Sequence, residues 1–325
     1  MKNLIKIGLV GYGYWGKNLA RNLHSLNSLC SICDNNKSNL EKATIQYPQI
    51  TTFTNIEDLL KSNVDAVFIS TPAVTHEKLV RKAINANKHV FVEKPLCLDV
   101  SQAVILKDLA EQKGLKLMVG HLLLYHPAFI ALKALIKNGG IGNIRYIYSN
   151  RLSLGKLRKE ENALWSFAPH DISMILSLIG KEPINIYASG GNYLNKDIAD
   201  TTMTLMTFGD NIKAHVFVSW LHPFKDQRLV VVGDKAMATF VDIEKGEKKL
   251  MLYNHDVSWK GDVSVIEKAD GKAINYDMSK EPLNEECKSF INWIKNDIKP
   301  ASDASEAIRV LKVLDKADED LKRNK

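Results

Sequence analysis

No apolar run in the 325 residues approaches the roughly 20 that a membrane-spanning helix requires, which argues against membrane partners. The first apolar stretch, Leu4 to Val10, is interrupted by Lys6 and runs into glycines. That is the pattern of a strand rather than of a signal peptide, and a cytoplasmic location is expected. Cysteine is scarce, with four in the chain: Cys30, Cys33, Cys97 and Cys287. Cys30 and Cys33 have C-x-x-C spacing, but they fall on an expected buried strand with no second Cys or His pair nearby to complete a zinc shell, so they read as small core residues. His215, His222 and His255 show no metal-ligand spacing either, and no metal is expected. Charge of one sign is also lacking. Lys and Arg number 44 against 37 Asp and Glu, and no basic cluster occurs beyond the terminal Lys322, Arg323 and Lys325. Nucleic acid is therefore not an expected partner, and the modest net charge of +7 suits a phosphorylated ligand. Internal repeats and low-complexity segments are missing too.

What is present begins at the first turn. Leu4 to Val10 leads into Gly11-Tyr12-Gly13-Tyr14-Trp15-Gly16 and then a helical stretch, Lys17 to Leu26. In such a strand-turn-helix the first glycine permits the tight turn, the second leaves room for backbone N–H groups to approach a pyrophosphate, and the third lets helix and strand pack closely. The phosphates then sit at the positive end of the helix dipole. A second strand, Leu29 to Cys33, ends in Asp34, an acidic residue about 20 positions on that can accept a ribose 2′-hydroxyl. Asp34 favours NAD over NADP because its charge repels a 2′-phosphate, and Lys37 nearby softens that preference.

Strands and helices then alternate. Thr51–Phe53, Ala66–Ser70, His89–Glu93 and Leu117–Gly120 read as strands, with Asn55–Lys61, Thr75–Ala86 and Val100–Lys113 as helices between them. That order calls for a doubly wound parallel sheet covered on both faces. Beyond Gly120 the texture changes. Helices are expected at Pro127–Lys137 and Asp171–Leu178, and strands at Ile144–Asn150, Ile184–Ala188, Met203–Phe208, Ile212–Trp220, Arg228–Val232, Ala236–Val241 and Lys249–Tyr253. Helices Asn284–Ile294 and Ser305–Leu321 close the chain. The fold class is α/β, with a Rossmann domain at 1–121 and an α+β domain at 122–325 built on an open, mainly antiparallel sheet. An open sheet face in an enzyme commonly becomes a subunit interface, so a homodimer or homotetramer is expected.

Two clusters carry chemistry. Glu93-Lys94-Pro95 stands where the fifth strand ends, and in an open parallel sheet ligands bind beyond the carboxyl ends of the strands, so Lys94 is expected at the nicotinamide end. The competing reading is a surface Glu-Lys pair before a helix-starting proline. The second cluster is Trp165-Ser166-Phe167-Ala168-Pro169-His170-Asp171. At an expected helix N-terminus His170 would be held as neutral imidazole, able to take a hydroxyl proton while Lys94 stabilises the alkoxide. Its competing reading is a helix cap together with Asp171.

These residues resemble a known family. The glycine turn, the run Ser70-Thr71-Pro72 followed by His76, the run Asn87-Lys88-His89-Val90-Phe91-Val92-Glu93-Lys94-Pro95, and Pro169-His170-Asp171 together resemble the glucose-fructose oxidoreductase, inositol dehydrogenase and MocA family over nearly the whole chain. The resemblance implies NAD(P)-dependent oxidation or reduction at a sugar or cyclitol carbon. By position Lys94 matches the family's active-site lysine and His170 its acid/base histidine, while Ser70, Thr71, Pro72, His76 and Glu93 would line or position the cofactor. Two departures are Ser166, where many members carry Asp, and Asn87, where glycine is usual.

The segment Tyr148-Ser149-Asn150-Arg151, with Lys156 and Arg158 downstream and Trp165 before the histidine, resembles members that oxidise C3 of a nucleotide-linked amino sugar such as UDP-N-acetylglucosamine or its uronic acid. In that setting Arg151 and Arg158 would fork onto the diphosphate and an aromatic ring would stack on uracil or sugar. His121 and Tyr125, with Asp171, complete the residues expected around the substrate. The 3-keto product would serve a later transamination in surface-polysaccharide biosynthesis. Alternatives on the same scaffold are a reductase of a dTDP-keto-sugar, an NAD-dependent glycosidase and a non-catalytic NAD/sugar sensor.

Overall fold

The computed structural model describes residues 4–155, 157–159 and 161–323, so Lys156 lies outside the described residues. The chain begins β1 (Ile7–Val10), α1 (Gly16–Ser25), β2 (Leu29–Cys33), α2 (Lys37–Gln46), β3 (Thr51–Phe53), α3 (Ile56–Lys61), β4 (Ala66–Ile69), α4 (His76–Asn85), β5 (His89–Glu93), α5 (Val100–Gln112) and β6 (Leu117–Gly120). The strands form one parallel sheet in the order β3-β2-β1-β4-β5-β6. Ile7, Leu9, Ala66 to Ile69 and Val90 to Val92 have no exposed surface, as a parallel sheet covered on both faces requires. Side-chain caps start several helices: Asn36 accepts from Ser38 N–H, Asn55 from Asp58 N–H and Asp99 from Gln102 N–H. Helix α2 has no counterpart in the sequence reading, because only Leu40 and Ala43 are buried on it and two residues make too thin a stripe to register as a period.

The next elements are α6 (Pro127–Lys137), β7 (Ile144–Leu152), α7 (Ala163–Ile179), β8 (Asn185–Gly191), β9 (Thr201–Thr207), β10 (Lys213–Ser219), β11 (Asp226–Gly233), β12 (Met237–Val241), β13 (Leu250–Tyr253), β14 (Asp256–Lys260), β15 (Val263–Glu267) and β16 (Lys272–Ala273). Eight of these strands form a sheet in the order β16-β13-β12-β11-β7-β10-β9-β8. Its pairings are antiparallel except between β7 and β10, while β14 and β15 make a separate hairpin. Side chains alternate across the sheet. Ile147, Ser149 and Arg151 of β7 and Ala214, Val216 and Val218 of β10 are buried on the side where α7 packs. The opposite face carries Tyr146, Tyr148, His215 and Phe217, with the more exposed Tyr187, Met203 and Leu205.

Helix α7 corrects the expectation of a helix beginning at Asp171. It begins eight residues earlier, where the Asn162 side chain accepts from Trp165 N–H, and runs through Pro169 to a left-handed Gly180 at φ 73°. A proline inside a helix costs about 3 kcal/mol. Burial of Leu164, Ile172, Ile175 and Leu176, each with no exposed surface, contributes roughly 1.5–3 kcal/mol per side chain and outweighs it.

Helices α8 (Pro282–Asn296) and α9 (Ala304–Arg323) end the described chain. Two compact units result: residues up to Tyr125 with Glu281–Leu311, and His126–Lys280 with the residues from Lys312 onward. The single cut after residue 121 in the sequence reading leaves α8 in the second domain, whereas its buried face of Leu283, Cys287 and Phe290 packs on α1 and the Leu122–Tyr125 turn. Removing the α7 cap with Asn162→Ala is expected to destabilise by about 1 kcal/mol, lowering Tm by roughly 2 °C, with Asn162→Asp near wild type. Equal Tm values for Asn162→Ala and wild type would show that the cap does not start the helix.

Candidate active site

The parallel order places the ends of β1, β2, β4, β5 and β6 on one edge of the sheet, with the reversal of strand order between β1 and β4. At that reversal Gly11 adopts φ 94°, and an added Cβ would stand 2.8 Å from the Ser70 carbonyl oxygen. At Gly16 an added Cβ would stand 2.0 Å from the Gly11 carbonyl oxygen, so helix and strand touch through backbone alone. A Cβ on Gly13 would meet nothing within 4 Å, which leaves its backbone open to a ligand. Ser70 Oγ–H donates to the Gly11 carbonyl at 2.9 Å and ties the turns after β1 and β4 together. Asp34 accepts from Tyr12 N–H at 2.7 Å, Asn36 N–H at 2.8 Å and the Asn39 amide at 3.2 Å. A carboxylate has about four acceptor positions, so one is left for a ribose hydroxyl. The glycine turn and Asp34 thus fit a dinucleotide. Tyr14 is 90% exposed beside the turn, and Trp15 is half-buried.

At the end of β5, Trp15 Nε1–H donates to Glu93 Oε1 at 2.5 Å, joining the glycine turn to the strand that carries Lys94. Burial pushes the Glu93 carboxyl up to about 7, against the opposing pull of the Trp15 N–H, Lys94 and His121. The Lys94–Pro95 peptide is cis. His76 is placed differently from its expected role in lining the cofactor. It is buried, with Nδ1 2.7 Å from the Pro95 carbonyl and Nε2 2.8 Å from the Thr71 carbonyl, and it braces the two turns from behind. Burial lowers its pKa although both carbonyls favour the cation. Thr71 Oγ1 is 2.6 Å from Thr75 Oγ1, which donates to the Pro72 carbonyl, so this turn is internally bonded. His121, after β6, is 2% exposed with Nδ1 2.6 Å from Glu306 Oε2. Tyr125 is buried with its hydroxyl 2.9 Å from Ser302 Oγ, and burial raises its pKa.

In the second unit His170 lies in the interior of α7, half-buried, rather than at a helix N-terminus. The helix dipole therefore gives no reason for a neutral imidazole there. Ser166 stands one turn before His170 on the same helix face. Arg151 and Asp171, expected at the substrate, are partners of each other. Arg151 Nε donates to Asp171 Oδ2 at 2.7 Å, Ser149 Oγ–H donates to Asp171 Oδ1 at 2.6 Å, and both charged side chains are buried. Tyr148 and Asn150 point to the other face of the sheet, Tyr148 stacked on His215 at 5.5 Å between centroids and Asn150 donating to Asp226. Four consecutive strand residues cannot share one face, so the segment 148–151 is divided between two surfaces. Arg158 is exposed and paired with Glu161 at 3.1 Å, while Trp165 is 9% exposed with its ring in the unit's interior.

Sequence reasoning missed Glu286 and Glu306, buried acids of the first unit. Glu286 shows a usable signal: it falls on the apolar stripe of α8, three residues after Leu283 and four before Phe290. A buried ion pair broken on one side leaves an uncompensated charge. Arg151→Met is accordingly expected to cost about 3–5 kcal/mol in stability, and Arg158→Met less than about 0.5 kcal/mol. Thermal unfolding of the two variants checks this, and equal Tm values would show that the Arg151–Asp171 pair does not hold the second unit together.

Comparison with known proteins agrees with this geometry. Residues 5–121 match the oxidoreductase family with an NAD-binding Rossmann fold, and residues 129–239 match the GFO/IDH/MocA C-terminal domain. The UDP-N-acetylglucosamine 3-dehydrogenase of Acidithiobacillus ferrooxidans is 29% identical over 216 residues, 66% of this chain and 67% of that enzyme. A solved structure of the dehydrogenase of that name from the same organism superposes with a TM-score of 0.85 at 24% identity, covering 99% of both chains. The scyllo-inositol dehydrogenase of Lactobacillus casei, solved with NAD(H) and scyllo-inositol, superposes with a TM-score of 0.81 at 21% identity over 99% of this chain and 98% of that one. At those identities the two superpositions speak for the fold. With family matches across both the parallel sheet and most of the second sheet, the chain belongs to the GFO/IDH/MocA oxidoreductase family.

Proposed function

We propose that this protein oxidises a secondary hydroxyl of a nucleotide-activated sugar with NAD as acceptor, at C3 of a UDP-N-acetylhexosamine or its uronic acid. The observation that carries the substrate class is the 29% identity to UDP-N-acetylglucosamine 3-dehydrogenase over 216 residues. NAD is preferred to NADP because the remaining acceptor position on Asp34 suits a hydroxyl and its charge repels a phosphate. Bound NAD supplies a hydride acceptor at its nicotinamide ring.

The chain's own residues do the rest. Gly11 to Gly16 admit the pyrophosphate to backbone N–H groups, and Asp34 accepts from the adenosine ribose. The Lys94 ammonium stabilises the developing alkoxide, and His170 receives the hydroxyl proton. Arg151 is held by Asp171, so the exposed Arg158 is the guanidinium proposed for the diphosphate. The 3-keto product suits an aminotransferase, and surface-polysaccharide biosynthesis in the cytoplasm is the proposed setting. Among the described residues no helix is long and apolar enough to cross a membrane. The face bearing Tyr187, Met203 and Leu205, which are 62%, 51% and 44% exposed, is proposed to bind a second copy in a homodimer or homotetramer.

With NAD and UDP-N-acetylglucosamine or its uronate, absorbance of the reduced cofactor should rise, and 2-oxoglutarate added in parallel recycles any that stays bound. Lys94→Met and His170→Ala should keep fold and NAD binding yet each lose about 10²–10⁴-fold in kcat. Silence across UDP- and dTDP-sugars, with NAD binding intact, would sink the nucleotide-sugar reading. In light scattering the double variant Met203→Glu, Leu205→Glu should run at the mass of one chain; an unchanged multiple would place the interface elsewhere.

A further inference from the structure

Two carboxyl groups of the first unit are not used by the hydride and proton chemistry assigned above. Glu286 has no exposed surface, and among the described residues neither of its oxygens has a hydrogen-bond partner. It lies on the buried face of α8 one turn before Phe290, whose ring meets Phe91 edge-on at 6.0 Å and Phe68 at 5.3 Å between centroids. Phe91 and Glu93 share one side of β5, so the α8 face carrying Glu286 is turned toward Glu93. The Glu93 carboxyl is wedged against Gly120, where an added Cβ would stand 2.9 Å from Oε2, and it accepts the Trp15 indole N–H on Oε1. Lys94 and His121 flank Glu93, while Tyr125 and Cys287 flank Glu286.

We propose that the half-buried Glu93 and the fully buried Glu286 form a carboxyl pair that holds one proton when the nicotinamide is reduced and neutral and releases it when the nicotinamide is oxidised and cationic. The proposal rests on the dinucleotide reading above, in which the end of β5 is the nicotinamide end. The Lys94 charge beside Glu93 compensates one carboxylate, and a second carboxylate in the same low-dielectric site ionises when a further cation arrives. Burial raises both groups, Glu93 to about 7, and the charge of Glu93 raises Glu286 further. An oxidised nicotinamide brings one positive charge to that site, and a reduced one brings none. Oxidised cofactor plus the protonated pair therefore gives the complex of oxidised cofactor with the ionised pair plus one proton to solvent, which balances charge and atoms. Through linkage, oxidised cofactor should bind more tightly as pH rises through neutrality, by up to about 10-fold per pH unit for one linked proton, while reduced cofactor lacks that slope.

The test is calorimetric titration of NAD and of NADH into the folded protein at neutral pH, in two buffers of different ionisation heat. Wild type is expected to release a fraction of a proton approaching one with NAD and none with NADH. Glu286→Gln, neutral and of the same shape, should bind NAD without proton release and lose the pH slope of its Kd. Equal proton counts for NAD and NADH in wild type, or full release retained in Glu286→Gln, would overturn the pair while leaving the dinucleotide site standing. Failure of folded wild type to bind either cofactor would overturn the dinucleotide reading, and the pair with it.

Discussion

At the turn after β1, the backbone of α1 comes so close to the strand that a Cβ at position 16 would stand 2.0 Å from the Gly11 carbonyl oxygen. That contact depends on the absence of a side chain, and the first unit is arranged around it. It sets the start of α1 against the end of β1 and leaves the Gly13 backbone open. It also puts Ser70 within hydrogen-bond reach of the same Gly11 carbonyl, which fixes the turn after β4. Trp15, one residue before the contact, is thereby aimed at Glu93. The chemistry proposed for Lys94 depends on a strand end that the glycine turn helps to hold.

Buried charge divides the two units by task. In the second, Arg151 and Asp171 neutralise each other with a good hydrogen-bond geometry, and Ser149 satisfies a further lone pair. Such a pair adds little net stability over an apolar pair, yet is costly to break from one side. It therefore acts as a register between β7 and α7 and keeps fixed the helix that carries His170. In the first unit Glu93 and Glu286 are not neutralised by a guanidinium. Glu93 leans on an indole N–H and the neighbouring Lys94 charge, while neither Glu286 oxygen has a hydrogen-bond partner among the described residues, so proton occupancy adjusts the remaining charge. Stability governs the first arrangement, and responsiveness to a ligand's charge the second.

Several elements were legible because local signals agreed. The β2, β3, β5 and β6 spans coincide with the sequence reading, since short apolar runs bounded by turn residues have few other uses in a covered parallel sheet. The start of α7 was misread because Pro169 is a strong local stop signal, and the burial that overrides it comes from residues far away in sequence. The β14–β15 hairpin was missed although Val257 and Trp259 alternate with polar neighbours, because its strands are two short five-residue runs that pair with each other and stay largely exposed, outside the main sheet. At the site, the placement of Lys94, Asp34 and the glycines at strand ends was readable from motif and spacing. The roles of His76, Arg151 and Asp171 were not, because each depends on a partner contributed by another element.

By itself, the sequence determined the parallel sheet within residues 5–121, its dinucleotide turn and the acidic residue that follows β2. Those features reside in contiguous residues whose backbone geometry and side-chain period are local properties. Only the tertiary structure decided which polar groups are committed to one another. It paired Arg151 with Asp171, sent Tyr148 and Asn150 to the opposite face, moved His170 into a helix interior and set α8 under β5, with Glu286 facing the strand that ends in Glu93. Partners separated by tens to hundreds of residues are brought together by packing, and burial then fixes their charge, so neither is visible until the chain is folded.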